Sequence, residues 1–255
     1  MVIYYLRNVN TIAFLSQFQS NYNMLDIIYE DKDFIAVNKP AGLLVHPTKF
    51  SEDRALTDEL LEKYPEIKDV GDDPLRPGIV HRLDKDTTGV VLVARNAHSF
   101  GYLKGLFHKH EIDKSYLALV MGSLEGNGVV DKPIGLRSGT TRRSVNAKDM
   151  KMIKPAVTKW YAMERFIKDN QVFTLVRLIP ETGRTHQLRV HMAYIHKPVV
   201  GDPLYGPKKS PLSFYRQALH ADSVEFTKED GKRLKLGVDM SKDMRDLIDN
   251  LEKSE

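Results

Sequence analysis

The sequence predicts an α+β domain, with a mixed, largely antiparallel sheet and flanking helices. Three observations lead there. Short β-rich runs are set off by turn residues, several stretches repeat apolar residues at helical spacing, and the two kinds follow one another without a regular strand-helix-strand rhythm. A chain of 255 residues, 42% hydrophobic and free of cysteine, can bury a sizeable core without disulfides. The domain is expected to span residues 25–255. Residues 1–24, whose only charge is Arg7, read as an N-terminal appendage.

The elements follow in chain order. "LDIIYE" and "DFIAVN" are two β-rich runs around the polar link Asp31-Lys32, and "KPAG" ends them with a turn signal. They predict paired strands. In "RALTDELLEKY" the residues Leu56, Leu60, Leu61 and Tyr64 share one helical face before Pro65 stops the run. "AHSFGYLKGLFHKH" predicts a second helix with Phe100, Leu103 and Phe107 inward. "YLALVM" is an apolar strand. "VTKWYAMERFI" and "VFTLVRLI" flank "KDNQ", where Asp169-Asn170 suits a tight hairpin. In "GRTHQLRVHMAYIH" the positions Arg184, Leu188, Met192 and Ile195 predict a helix closed by Pro198. Asp230-Gly231 marks another hairpin. Ser241 is placed to cap a last helix whose Met244, Leu247, Ile248 and Leu251 form an apolar stripe.

Composition excludes several classes. No run nears the roughly 18 apolar residues of a membrane span, and the start of the chain lacks the order of a secretory signal, so a soluble cytoplasmic protein is expected. Neither a phosphate-binding GxxxxGK[ST] loop nor a GxGxxG turn is present, which argues against ATP and dinucleotides. "HKHE" lacks the second histidine of a zinc protease motif, because position 114 is lysine, so His108 and His110 read as surface residues. His186 and His191, five apart, fall on different helix faces and do not converge on a metal. No metal or other cofactor is expected. The net charge is only +4, yet it is unevenly placed: residues 137–165 hold eight Lys or Arg against two acids, while 222–255 hold ten acids against seven bases. That is the pattern of a polyanion-binding protein with a solvated end, although an ordinary solvated loop has the same composition.

Acids and bases beside apolar runs remain. Asp84 precedes "TTGVVLVA", in which Gly89 delivers the chain into a buried strand. On this stretch alone Asp84 is as well explained by a turn residue bonding its own backbone as by a carboxylate at a cleft floor. A carboxylate taken out of water stays ionised only with a cation in contact. "THQLRVH" offers one, Arg189, between Leu188 and Val190; the alternative is an arginine that lies along apolar surface with its head in water.

"GIVHRLDKDTTGVVLVAR", "KSYLALV" and "GRTHQLRVHMAYIHKPVVGDPLYG", together with "FIAVNKPAGLLVHP", resemble in order and spacing the motifs of the large bacterial-type family of RNA pseudouridine synthases acting on ribosomal and transfer RNA. The resemblance covers residues from about 25 to 228. It implies the pseudouridine synthase catalytic fold, with Asp84 as the essential catalyst, Arg189 as its ion-pair partner, and Tyr116 as a ring against the target base and candidate proton acceptor. It further implies substrate contacts from Leu188, His81, Thr88 and Arg184, and an Arg82 that enters the space of an extruded nucleotide. Thr88 stands where the family more often has serine. The first 24 residues are too short and too weakly basic to be the small RNA-binding domain that often leads such proteins.

The implied partner is RNA, bound by a monomer. The reaction needs no redox partner and no group donor. It breaks the N1–C1′ bond of a uridine, turns the base and joins C5 to C1′, so water must be excluded and charge on the detached uracil stabilised. Two other readings stand beside it. A non-catalytic RNA-binding protein of this fold would have lost the aspartate or its arginine, and both are present. A nucleoside N-glycoside hydrolase would need a second placed carboxylate, which the motifs do not supply.

Overall fold

The computed structural model describes residues 25–48, 53–140, 142–145 and 150–253. The proposed appendage, residues 1–24, lies outside them. A ten-stranded sheet dominates. Its first three strands are β1 (Ile27–Glu30), β2 (Phe34–Lys39) and β3 (Thr88–Ala94), paired antiparallel. The other half is built on β4 (Asp113–Met121), β9 (Val157–Lys168) and β10 (Gln171–Pro180), also antiparallel. β11 (Leu219–Thr227) joins the halves, antiparallel to β4 and parallel to β3. β5 (Asn127–Asp131) and β13 (Glu252–Lys253) pair with β9, and β12 (Arg233–Gly237) pairs with β11. A separate three-stranded sheet contains β6 (Ile134–Arg137) between β7 (Arg143–Ser144) and β8 (Met150–Lys154).

The seam between the halves depends on one glycine. Gly89 has φ +113°, and a Cβ there would stand 2.1 Å from the Ala221 carbonyl oxygen, so only glycine lets β3 and β11 approach. All seven residues of β3 are buried, as its unbroken apolar run predicts for a central strand. Helix α1 (Leu56–Lys63), a 3-10 turn (Pro65–Asp69) and α2 (Ala97–Lys109) cover one half; α3 (Gln187–Tyr194) and α4 (Lys242–Asp249) cover the other. Each half therefore has its own apolar core. Tyr116 packs against both.

The hairpin at 169–170 forms as expected, with both residues in the left-handed region that a two-residue turn requires (φ 48° and 60°). One predicted helix start and one predicted cap are corrected. The helix expected from Arg184 begins at Gln187, because His186 takes a left-handed conformation (φ 56°) that breaks the period, and Arg184 lies in the preceding loop. Ser241 sits at the start of α4 without capping it, since its hydroxyl accepts from Arg216 Nη2 at 2.9 Å instead.

Candidate active site

The turn carrying Asp84 is held from several sides. Thr87 N–H donates to the Asp84 carbonyl at 3.1 Å, closing the turn. Lys39, fully buried at the end of β2, donates its three ammonium protons to the carbonyls of Pro40 (2.7 Å), Leu43 (2.8 Å) and Lys85 (2.8 Å). Burial pushes that ammonium down to about 7, with the charges of Asp86 and Asp84 opposing the shift. Arg216 Nη1 reaches the Asp86 carbonyl at 3.1 Å, and Gln217 Nε2 the Thr87 hydroxyl at 3.2 Å. The carboxylate thus projects from a backbone with little freedom to move.

Arg189 meets it from α3. Its Nη1 donates to Asp84 Oδ2 at 2.8 Å, while Nε and Nη2 donate to the two oxygens of Asp202 at 2.7 and 2.9 Å. The Asp202 side chain is fully buried, Arg189 is 4% exposed, and Asp84, at 18%, is the carboxylate that lines the cleft. Burial opposes both charges of the inner pair. Contact nonetheless wins, raising Arg189 above its ordinary value and holding Asp202 below its own, where Leu204 and Tyr205 N–H groups also bond its Oδ1. The start of α3 is anchored by Gln187, whose Oε1 accepts from Thr182 (2.6 Å) and Arg184 N–H (3.0 Å) and whose Nε2 donates to the Val157 carbonyl (2.9 Å).

The cleft above Asp84 has a volume of about 130 Å3. Tyr116, Leu188 and Leu219 line its apolar side, with Arg82, Arg184 and His186 on its polar side. The structure therefore gathers Asp84, Arg189, Tyr116, Leu188, Arg82 and Arg184 around one space. Two expected members are absent from it. His81 stacks on Phe107 (ring centroids 4.6 Å apart), and its Nε2 accepts from Leu92 N–H at 2.8 Å; burial pushes it down to about 3, as a neutral acceptor requires. Thr88 points into the seam, 2.8 Å from His220 Nδ1, and its neighbour Thr87 lines the cleft instead. Strand alternation separates the two threonines. The Tyr116 phenol is raised by burial and by the charge of Asp84, so it stays protonated at neutral pH, opposite to the shift a proton acceptor needs. His191 bonds Thr158 and the Lys132 carbonyl, away from His186. A larger open groove, about 940 Å3, lies on the opposite sheet face, where Arg177 already pairs with Asp222 at 2.8 Å.

Several residues of this site went unread in the sequence. Asp202 in "VVGDPLYG" has the look of a Gly-Pro turn former, and Lys39 before Pro40 that of a surface lysine. Only the pairing of distant segments gives them work.

The profile of the RNA pseudouridylate synthase family matches residues 33–194, which contain Asp84, Tyr116 and Arg189. The chain belongs to that family. The ribosomal large subunit pseudouridine synthase D of Escherichia coli is 41% identical over 238 residues, covering 88% of this chain and 70% of its own. An uncharacterized RNA pseudouridine synthase of Bacillus subtilis is 40% identical over 232 residues, covering 90% and 74%. Among solved structures, human RNA pseudouridylate synthase domain containing 1 superposes with a TM-score of 0.74 at 26% identity, covering 91% of this chain and 89% of its own. As a pseudouridine synthase the chain is an RNA isomerase acting on uridine, and its mixed, mostly antiparallel α+β fold is that of its structural neighbours. Among the described residues no helix is long and apolar enough to cross a membrane.

Proposed function

We propose that this chain converts a uridine of structured ribosomal or transfer RNA to pseudouridine with Asp84 as the essential catalyst. Ribosomal RNA is the first target to test, because the Escherichia coli relative is named for the large ribosomal subunit. The observation that carries the reading is the ion pair at the cleft floor. One carboxylate reaches the cleft, and its buried guanidinium partner pairs with it at 2.8 Å without closing the cleft.

A stacked uridine presents no access to its glycosidic bond, so the nucleotide is flipped into the cleft, at a cost of a few kcal/mol. Asp84 then acts at the ribose. N1–C1′ breaks, the base turns, C5–C1′ forms, C5 loses its proton and N1 gains one, leaving the mass unchanged. Tyr116, Leu188 and Leu219 give the base an apolar bed on which to turn. The protonated Tyr116 phenol serves there as platform and hydrogen-bond donor. Arg82, exposed at the cleft mouth, fills the gap the nucleotide leaves, and Arg184 holds the rim. Phosphates around the flipped position are held by the basic residues of β6–β8, so affinity falls steeply with salt.

The test is Asp84→Asn, assayed by tritium release from C5-labelled uridine in ribosomal RNA. The variant should bind RNA with wild-type affinity and release no tritium. Undiminished release would remove Asp84 from the mechanism.

A further inference from the structure

A chain of contacts leads from the three-stranded sheet to the cleft carboxylate. Arg143, on β7, donates its backbone N–H to the Tyr205 hydroxyl at 3.0 Å. That hydroxyl lies 2.9 Å from His186 Nδ1, and His186 Nε2 stands 3.8 Å from Asp84 Oδ1. Tyr205 touches the rest of the site as well. Its ring lies 5.3 Å from the Arg189 guanidinium, and its N–H donates to Asp202 at 3.0 Å.

The bonding inventory of a hydroxyl decides which way the contacts run. It has one proton and two lone pairs. The Arg143 N–H occupies one lone pair, and among the described residues His186 Nδ1 is the only other hydrogen-bond partner of the hydroxyl, so the Tyr205 proton is satisfied only by donation to Nδ1. An imidazole whose Nδ1 accepts carries its single proton on Nε2, the nitrogen that faces Asp84. Burial lowers the ring from its ordinary value, with the charge of Asp84 opposing, so it remains neutral and has one proton to place. Its left-handed backbone, costing roughly 1–2 kcal/mol in a residue other than glycine, has to be held by contacts such as these.

At the far end of the path stand Arg137, Arg142, Lys151 and Lys154. All four are exposed, and among the described residues none pairs with an acid, so they are available to phosphates. We propose that Tyr205 is a positioning residue: RNA engaged by this basic sheet is sensed through its hydroxyl, which turns the Nε2–H of His186 toward Asp84, 3.8 Å away. This rests on the RNA reading above. The sheet and the cleft are then coupled, and phosphate contacts raise the rate as well as the affinity.

Two measurements test it. Tyr205→Phe keeps the ring beside Arg189 and removes only the hydroxyl. Nitrogen-15 spectra of labelled histidine, recorded without RNA, should show His186 protonated on Nε2 in wild type and a mixture of tautomers in the variant. A wild-type ring protonated on Nδ1, or a tautomer indifferent to the substitution, overturns the proposal. In single-turnover assays at saturating RNA, Tyr205→Phe should slow pseudouridine formation at least tenfold and change Kd less than twofold. Lys151→Ala with Lys154→Ala should weaken binding in both backgrounds, yet lower the saturated rate only where the hydroxyl is present. Equal rate losses in both backgrounds refute the coupling. Were wild type itself inactive on RNA, the proposed function would fall, while the tautomer result would still decide the role of the hydroxyl.

Discussion

Replacing Arg189 by methionine isolates the electrostatics of the site, because the side chain keeps much of its length and loses its charge. In wild type this guanidinium stands between a fully buried carboxylate, Asp202, and one 18% exposed, Asp84. The variant leaves both without a cation, and Asp202 keeps only its bonds from Leu204 and Tyr205 N–H. Removing one partner of a buried pair costs about 3–5 kcal/mol. For a domain of this size that is a fall in Tm of roughly 6–20 °C. The loss should depend on pH in a particular direction. With Arg189 present, Asp202 is held below its unfolded value, so it adds stability above that value which is lost only in strong acid. Without Arg189, burial, the largest influence on this carboxyl, is opposed only by the Leu204 and Tyr205 N–H bonds and raises the group above its unfolded value near 3.9. The folded variant then binds more protons than the unfolded chain from about pH 4 upward, and its stability falls as pH rises through that window. The gap between variant and wild type should therefore be wider at pH 7.5 than at pH 5. Urea unfolding followed by the fluorescence of Trp160, the only tryptophan, measures it. A gap independent of pH, or a Tm within about 2 °C of wild type, would show that Asp202 does not depend on this cation.

Two further outcomes follow from groups outside the ion pair. Lys39→Met strands three carbonyls, two of them beside the turns it joins; each unsatisfied buried acceptor costs about 1–3 kcal/mol, and tritium release should fall while RNA affinity in filter binding stays within twofold. His81 is neutral in the folded protein down to about pH 3, whereas the unfolded chain takes up a proton near 6.5, so this group alone should remove about 1.4 kcal/mol of stability per pH unit between those values. His81→Gln, whose amide oxygen can still accept from Leu92, should flatten the acid limb of the urea midpoint against pH by that slope. An unchanged limb would mean that His81 is protonated in place.

The features legible in the amino-acid order are local, or carried by long motifs. The β-rich runs, the Asp169-Asn170 hairpin and the apolar stripes of α1, α2 and α4 follow from periods of 2 and 3.6 and from turn chemistry, which act between near neighbours. The need of a buried carboxylate for a cation, together with the family's motifs, was enough to pair Asp84 with Arg189 across 105 residues. Tertiary structure alone decided the remainder. Asp202, Lys39 and Tyr205 belong to segments that look like ordinary turns, and each acquires a role only from neighbours brought by the fold: Arg189 for Asp202, the Leu43 and Lys85 carbonyls for Lys39, and His186 and Arg143 for Tyr205. His81 and Thr88 sit within the same motif as Asp84 yet face the core and the seam, because a turn followed by a strand sends neighbouring side chains in opposite directions. A sequence records which groups are available. Which of them share a dry space depends on the long-range pairing of strands, and that is a property of the whole sheet.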